Sequence, residues 1–241
     1  MTISLADLAL LRRYDTPTIC NVVELFGVRP RTAGYMDSRI QACYPSLPPM
    51  VGFAATATFR SAFAPPAGSA YASLDKQLEA FAGLPGPPVV VFQDLDSPSA
   101  AATFGEIMCT TYKTFGAVGL VTSGTGRDLD QVEAISFPCF TAGTCCAHGY
   151  CHIPSIGVPV HVGGVVVQQG DLLHGDRNGV TTIPLSIASA VAHACAEFMD
   201  AESVVLEYLK SGNLSTAGYA EARSECKRRI DAIEKRVRVS A

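Results

Sequence analysis

The first apolar positions of the chain recur at the spacing of an α-helix. Residues 5–14 predict a short amphipathic helix. In the stretch "DTPTICNVVELFG", Asp15 or Thr16 is a candidate N-cap and Pro17 suits a first helical turn. Gly27 then ends the pattern, as a glycine just beyond a helix commonly does. The chain therefore begins with two short helices.

After a loop rich in proline and arginine, strand and helix patterns alternate. Continuous runs of β-branched residues, and small apolar residues that alternate with polar ones, predict strands. Apolar residues at helical spacing predict helices where Ser precedes them or Gly follows them. The predicted elements are a strand over 51–62, a helix over 73–88 with Ser73 as cap, a strand over 89–96, a helix over 100–116 ending at Gly116, a strand over 117–124, a helix over 128–136 and a strand over 137–143. This order implies crossover connections and a parallel sheet covered by helices.

The pattern changes over residues 158–184, where the helical period disappears. Short apolar runs alternate with GG, QG, HG and NG pairs, which predicts short strands joined by tight turns. Residues 186–210 then predict a long helix and residues 220–237 a charged one. We expect a single α/β domain over residues 1–241, with a core at about 15–205, an appended β-meander and a helical C-terminal extension at about 206–241.

Composition excludes several functional classes. The 241-residue chain has a net charge of −4 and no basic block, which disfavours binding to nucleic acid. No run of about 20 apolar residues predicts a membrane span. The N-terminal stretch lacks a basic segment before an apolar core, and Asp7 interrupts its apolar run, so it is a poor signal peptide. We therefore expect a cytoplasmic protein that binds neither nucleic acid nor membrane.

Nine cysteines fit a reducing compartment, and their odd number argues against complete pairing in disulfides. Three of them, with two histidines nearby, raise the alternative of a structural zinc site: Cys145, Cys146, Cys151, His148 and His152. Adjacent cysteines do not have the C-x₂-C spacing that presents two thiolates to one metal. Buried free cysteines that act as small apolar residues are the better interpretation.

Polar residues that could carry chemistry follow two of the predicted strands. Asp94 and Asp96 end one strand, and Arg127 and Asp128 follow the next strand along the chain. Ligands of open α/β sheets bind at the carboxyl ends of strands. Residues 105–108 open a helix between the two strands, and its unpaired N–H groups can hold an anion. Arg127 could then hold a carboxylate and Asp128 a divalent metal, or the pair could be a simple surface turn.

Other polar positions favour structural roles. "GTGRDL" lacks the lysine of a phosphate loop and the third glycine of a dinucleotide fingerprint. Asp171 and Asp176 lie in predicted turns, where such side chains usually hydrogen-bond the backbone. His152, His161 and His174 could act in acid–base chemistry, although histidines in such surroundings are more often structural.

Three segments together resemble one known family. "GEIMCTTYKTFGAVGLVTSGTGRD", then "FPCFTAG", then "VPVHVGGVVVQQGDLLHGDRNGVTTIP" resemble the regulator-of-ribonuclease-E-like proteins, over about residues 15–205. That family includes divalent-metal aldolases acting on 4-hydroxy-4-methyl-2-oxoglutarate and 4-carboxy-4-hydroxy-2-oxoadipate. The resemblance implies a swivelling-domain α/β/β sandwich, assembly as trimers or hexamers, and sites between protomers.

The resemblance also implies roles for individual residues. It assigns a backbone cradle for the pyruvyl carboxylate to Gly105, Glu106, Ile107 and Met108, substrate binding and catalysis to Arg127, and a metal ligand, for Mg²⁺ or Mn²⁺, to Asp128. This chain departs from the family at Ser123, where family members often have an acid that could order a metal-bound water.

The implied activity is a metal-dependent lyase that cleaves 4-hydroxy-2-oxo diacids into pyruvate and a 2-oxo acid. Oxaloacetate decarboxylation should accompany it, because the same enolate forms when a carboxylate leaves instead. Two alternatives remain open: a non-catalytic regulator that binds a ribonuclease, and another metal-dependent enzyme acting on a 2-oxo or 2-hydroxy acid. The presence of Asp128 favours an enzyme, because the resemblance implies that the regulator branch lacks this aspartate.

Overall fold

The computed structural model describes residues 3–65 and 73–240. The chain divides into two compact units. One unit consists of Met1–Arg31 together with Leu185–Ala241 and is helical. The other unit, Thr32–Pro184, contains all strands of the described residues.

The strands and helices of the described residues follow in chain order. The strands are β1 Gln41–Ala42, β2 Met50–Phe59, β3 Pro88–Asp94, β4 Ala102–Phe104, β5 Gly119–Thr122, β6 Thr125–Gly126, β7 Cys139–Thr141, β8 Gly143–Thr144, β9 Val160–Val162, β10 Val165–Val167, β11 Leu172–Asp176 and β12 Gly179–Ile183. The α-helices are α1 Leu5–Leu11, α2 Thr16–Phe26, α3 Leu74–Ala80, α4 Glu106–Thr114, α5 Leu129–Ala134, α6 Ala188–Lys210 and α7 Thr216–Ser240.

The larger unit is built on a seven-stranded sheet with the order β1-β7-β5-β3-β2-β11-β12. Its four central strands, β2, β3, β5 and β7, run parallel. On the two sides, β1 pairs antiparallel with β7, β11 pairs antiparallel with β2, and β12 pairs antiparallel with β11. The predicted parallel sheet is therefore present. The predicted meander is not a separate appendage, because β11 pairs directly with β2 and extends the main sheet.

Both faces of this sheet are buried, which explains the continuous apolar runs of its strands. Val90, Phe92 and Leu120 pack on one face with side chains of α3, α4 and α5. Val89 and Val121 pack on the other face, under the hairpin of β9 and β10. Helices, sheet and hairpin form three layers, so the α/β/β sandwich class is confirmed.

A second, smaller sheet consists of three parallel strands in the order β4-β6-β8. Helix α4 begins immediately after β4, at a residue that the sequence pattern places well inside a helix over 100–116. That prediction was wrong at its N-terminal end, because Ala102 and Phe104 pair with residues of β6 and Thr103 is completely buried. Pairing across more than twenty residues leaves no local signal in the sequence.

The helical unit is defined by local capping and by pairs between its helices. Asp15 caps α2, Pro17 lies in its first turn and Gly27 ends it at φ 65°, as the sequence predicts. His193 of α6 lies 3.0 Å from the carboxylate of Asp7. Helix α7, from Thr216 to Ser240, is longer than the predicted charged helix. No helix among the described residues is long and apolar enough to cross a membrane.

Two smaller predictions need correction. Ser73 occupies the N-cap position of α3, but its side chain makes no capping hydrogen bond. His174 and Gly175 lie inside β11 rather than in a turn, and His174 is completely buried. The turn at this position is formed instead by Arg177 and Asn178, between β11 and β12.

Candidate functional site

Three chain segments with residues that could bind a ligand or take part in a reaction meet at the carboxyl edge of the three-stranded sheet. Because β4, β6 and β8 are parallel and adjacent, the residues that follow them leave the sheet at the same edge. Gly105 follows β4 and begins α4, Arg127 follows β6, and Cys145 follows β8. The sheet therefore brings segments together that lie up to forty residues apart in the sequence.

The first of these segments is the N-terminus of α4. Gly105 is the N-cap residue, in an extended conformation, and the N–H of Glu106 donates to Oδ2 of Asp128 over 3.0 Å. A Cβ atom on Gly105 would lie 2.6 Å from that same Oδ2 and 3.1 Å from Nε of Arg127. A larger residue at this position would have to displace the carboxylate of Asp128 from where it lies.

The second segment is the pair itself. Arg127 is anchored by its own N–H, which donates to the carbonyl of Phe104 over 3.2 Å. Asp128 has φ 55° and ψ 41°, a left-handed conformation that is uncommon for residues other than glycine and clusters at functional sites. Nε of Arg127 and Oδ2 of Asp128 are 3.8 Å apart, and 29% and 34% of the two side chains are exposed. The pair is therefore accessible, and the two charges do not form a close hydrogen-bonded ion pair.

The four residues predicted to form an anion cradle are all at the start of α4, but they differ in availability. The N–H of Glu106 is used by Asp128. Helix geometry leaves the N–H groups of Ile107 and Met108 without a partner inside the helix. The Ile107 side chain is 75% exposed, whereas Met108 is buried and belongs to the core. The backbone N–H groups of Ile107 and Met108 are therefore the candidates for binding an anion at this helix start.

A small cleft lies at this edge of the sheet. Its lining includes Gly105, Met108 and Arg127 together with His148 and Cys151 from the segment after β8. Its volume is about 20 Å³, which is enough for about one water molecule. From the sequence, His148 was considered only as part of a cysteine-rich cluster. No local signal in the sequence identifies it, because its position depends on the pairing of β8 with β6.

The acids that end β3 have other roles. Asp96 accepts hydrogen bonds from the N–H groups of Ser61 and Ala62 over 2.7 and 2.9 Å, and it lies 3.5 Å from Nε of Arg60. Ser123, at the departure from the family pattern, accepts a hydrogen bond from the N–H of Asp94 through its hydroxyl. These contacts hold loops in place.

Asp94 itself is half-buried and differs from Asp96 in one respect. Within the described part of the chain, its Oδ2 is buried without a hydrogen-bond partner. Burial raises the pKa of Asp94, and the charge of Asp96 acts in the same direction, while hydrogen bonds from Ser99 and from the Asp96 backbone oppose the shift. Oδ2 faces Gly124, where a Cβ atom would lie 2.7 Å away.

The cysteine-rich segment does not form a metal cluster in the described structure. Across residues 3–65 and 73–240, no three side chains of His, Cys, Asp or Glu are grouped to hold a metal ion. All nine cysteines are free. Cys151 is buried in the core, as the sequence interpretation proposed, but Cys146 is exposed and Cys145 is half-buried.

The remaining polar candidates have structural contacts. Asp171 accepts a hydrogen bond from the N–H of Gln168, and Asp176 accepts one from the N–H of Asn178, so their predicted turn roles are confirmed. His161 is exposed on β9, and Nδ1 of His152 lies 2.8 Å from the carbonyl of Tyr150.

Comparison with known proteins agrees with the resemblance in the sequence. The family model described as RraA-like, Aldolase/RraA, matches residues 16–182, well over half of the chain. A protein of Halalkalibacterium halodurans named "Putative 4-hydroxy-4-methyl-2-oxoglutarate aldolase" is 38% identical over 101 residues, which is 42% of this chain and 47% of that protein. The chain spans about half the length of the curated relatives it matches.

Solved structures show the same fold. An uncharacterized protein from Pseudomonas syringae superposes with a TM-score of 0.72 at 22% identity, covering 93% of this chain and 95% of that one. RraAS2 of Streptomyces coelicolor, described as an unusual member of the RNase ES inhibitor RraA protein family, gives a TM-score of 0.65 at 23% identity, with 84% and 96% covered. The chain belongs to the RraA-like family, which includes aldolases as well as ribonuclease inhibitors.

Proposed function

We propose that the protein is a divalent-metal-dependent lyase of the pyruvate aldolase type. It cleaves 4-hydroxy-2-oxo diacids into pyruvate and a second 2-oxo acid, and it decarboxylates oxaloacetate as a side reaction. The observation that carries this proposal is the joint placement of Arg127, Asp128 and the start of α4 at one sheet edge. The named aldolase relative supports the same class of reaction.

Arg127 and the helix start are suited to the carboxylate end of such a substrate. The guanidinium group can donate two parallel hydrogen bonds to a carboxylate, and it is partly exposed beside the cleft. The amides of Ile107 and Met108 point along the α4 axis, whose N-terminal end carries a partial positive charge. Together they fix the orientation of a 2-oxo acid and offset its negative charge.

The residues present also fit a hard divalent cation. Asp128 offers a partly exposed carboxylate, and Mg²⁺ is commonly held by one or two carboxylates, with water and substrate oxygens completing its shell. This donor set suits Mg²⁺ or Mn²⁺ better than zinc, which prefers nitrogen and sulfur ligands. A bound ion would supply positive charge next to the 2-oxo oxygen of the substrate, where negative charge develops during the reaction.

The reaction then needs few groups from the chain. Arg127 and the helix amides hold the pyruvyl end while the bond between carbons 3 and 4 breaks and its electron pair passes into the enolate of pyruvate. A base must remove the proton of the hydroxyl group on carbon 4. In oxaloacetate the same electron pair is released by loss of CO₂, so no hydroxyl proton has to be removed.

A substrate panel tests this function. Purified protein is assayed for pyruvate release from 4-hydroxy-4-methyl-2-oxoglutarate, 4-carboxy-4-hydroxy-2-oxoadipate and oxaloacetate, with Mg²⁺, with Mn²⁺ and after chelation with EDTA. We expect release from at least one diacid with metal and none after EDTA. Asp128→Ala should raise the metal concentration needed for half-maximal rate, and Asp128→Asn should raise it less. Turnover that survives chelation would exclude the metal-dependent mechanism.

Assembly is part of the same proposal. We infer a homotrimer or hexamer that works in the cytoplasm on a small 2-oxo acid and binds neither nucleic acid nor membrane. Sedimentation at micromolar concentration checks the assembly, and a monomer at the chain mass of 25.3 kDa would contradict it. If no substrate of the panel is turned over, binding and inhibition of a ribonuclease becomes the function to test, in view of the Streptomyces coelicolor structure.

A further inference from the structure

We propose that His148 is the general base of this site, and that it makes the site act on 2-oxo acids with a hydroxyl group on carbon 4. The inference rests on the proposed lyase function and adds the group that removes the hydroxyl proton. The sequence pattern alone gives His148 no role in the reaction.

The parallel sheet explains how His148 reaches the site. β8 lies beside β6, and the N–H of Cys145 donates to the carbonyl of Gly126, so the chain after β8 runs alongside the residue that precedes Arg127. Three residues further along, His148 lines the same cleft as Gly105 and Arg127. His148 and Arg127 therefore line one small cleft, and they reach it from two neighbouring strand ends.

Backbone hydrogen bonds fix the segment that carries His148. The N–H of Ala102 in β4 donates to the carbonyl of Ala147 over 2.8 Å, and the N–H of Tyr150 donates to the carbonyl of Ser61 over 2.9 Å. Gly149, between them, has φ 52°, and a Cβ atom there would lie 2.6 Å from the carbonyl oxygen of Ser61. The chain can take this path only with glycine at position 149, so His148 is presented from a defined turn.

The hydrogen bond of the imidazole identifies which nitrogen can act as a base. Nδ1 of His148 lies 2.8 Å from the carbonyl oxygen of Gly149. A carbonyl oxygen only accepts hydrogen bonds, so Nδ1 must carry the proton. In the neutral ring the lone pair then resides on Nε2, as in other histidines that are oriented through the opposite nitrogen. Nε2 is thus ready to accept a proton.

The proposed step balances without a further reactant. Nε2 takes the proton of the hydroxyl on carbon 4, a carbonyl group forms at that carbon, and the bond between carbons 3 and 4 breaks. The released electron pair forms the enolate of pyruvate, and the imidazolium returns its proton to carbon 3. The products are pyruvate and a second 2-oxo acid, and His148 ends in its original state.

The decisive experiment compares two substrates in the variant His148→Gln. Aldol cleavage requires removal of a hydroxyl proton, whereas decarboxylation of oxaloacetate does not, and its enolate can be protonated by water. We expect the kcat of aldol cleavage to fall by about 10²–10⁴-fold, the usual contribution of a positioned general base, and oxaloacetate decarboxylation to fall by less than about 10-fold. Thermal unfolding should be unchanged, because the side chain is exposed.

His152→Gln is the matched control. Nδ1 of His152 also lies 2.8 Å from a backbone carbonyl, that of Tyr150, but this histidine is not among the residues that line the cleft with Arg127. We expect it to retain both reactions. Equal loss of aldol cleavage in the two variants would contradict a specific role for His148.

Chemical rescue provides the second measurement. In His148→Ala, added imidazole should restore part of the aldol cleavage, since the position is open to solvent, and it should not change oxaloacetate decarboxylation. The inference fails if His148→Gln keeps wild-type aldol cleavage, if both reactions fall equally, or if imidazole restores nothing. A wild-type protein that turns over neither substrate would instead refute the proposed function.

Discussion

Two loops at strand ends carry acidic residues, and they use their carboxylates in opposite ways. After β3, the carboxylate of Asp96 serves the chain itself: Oδ2 accepts two backbone N–H groups, and Oδ1 lies 3.5 Å from the charged Nε of Arg60. After β6, Asp128 accepts one backbone N–H, from Glu106, and its side chain is 34% exposed against 7% for Asp96. The same residue type in the same kind of loop is structural in one place and available in the other.

The difference between the loops comes from what lies opposite each carboxylate. Asp96 faces the loop of Ser61 and Ala62, whose amides have no strand partner and would be costly to leave unpaired. Asp128 faces a neighbouring arginine and the start of a helix, where the N–H of Glu106 donates to it. A carboxylate that satisfies the backbone contributes to stability, whereas one beside a cation at an open edge can bind a ligand.

The strongest test of the comparison is Arg127→Lys. A lysine keeps the charge but cannot reproduce the paired hydrogen bonds of a guanidinium. We expect kcat/KM to fall by roughly 30- to 1,000-fold, equivalent to about 2–4 kcal/mol, with no change in the thermal midpoint. Steady-state kinetics and thermal unfolding of the same preparation check this. Wild-type kinetics in Arg127→Lys would show that the open loop is not a binding site.

Gly105→Ala tests whether the position of the Asp128 carboxylate matters for activity. The new methyl group would lie 2.6 Å from Oδ2 of Asp128 and must displace it. Because a misplacement of about 1 Å can cost about 10²-fold in rate, we expect up to about a 100-fold loss of kcat/KM. Gly83→Ala is the control, since a Cβ atom there has no neighbour within 4 Å among the described residues. Equal kinetics in the two variants would contradict the prediction.

Asp96→Ala tests whether Asp96, in the loop after β3, serves stability rather than activity. The change leaves the N–H groups of Ser61 and Ala62 without their acceptor, so we expect a loss of about 1–3 kcal/mol in the free energy of unfolding. Denaturant titration measures this loss, and kinetics below the transition should remain close to wild type. If stability is unchanged while kcat/KM collapses, Asp96 belongs to the active loop and the comparison is wrong.

The smallest effect is expected for Asp94→Asn, and it depends on pH. Burial raises the pKa of Asp94 above its ordinary value of 3.8, so the folded protein binds this proton more tightly than the unfolded chain. The contribution of Asp94 to stability is therefore greatest at low pH and falls as the pH rises through the raised pKa. We expect Asp94→Asn to raise the thermal midpoint at neutral pH but not at pH 3. A thermal midpoint below that of the wild type at neutral pH would contradict the prediction that the charged Asp94 destabilises the folded protein.

Local signals allowed the sequence to predict much of the fold. The caps at Asp15 and Gly27 and the β-branched run of β3 depend on neighbouring residues only, and each was confirmed. The helical pattern over residues 100–104 was wrong because β4 exists only through its pairing with β6, from Ala102 to Thr125. His148 was missed for the same reason, since its position depends on the pairing of β8 with β6.

By itself, the sequence determined the family and the fold class. It also identified Arg127 and Asp128 as candidate site residues, because their motif is contiguous and follows a recognisable strand. It could not show that the carboxylate of Asp128 is accessible and that of Asp96 is buried, since accessibility depends on which N–H groups fold against each carboxylate. Nor could it bring His148 to the same cleft. Those distinctions arise from hydrogen bonds between segments far apart in the chain, which only the tertiary structure decides.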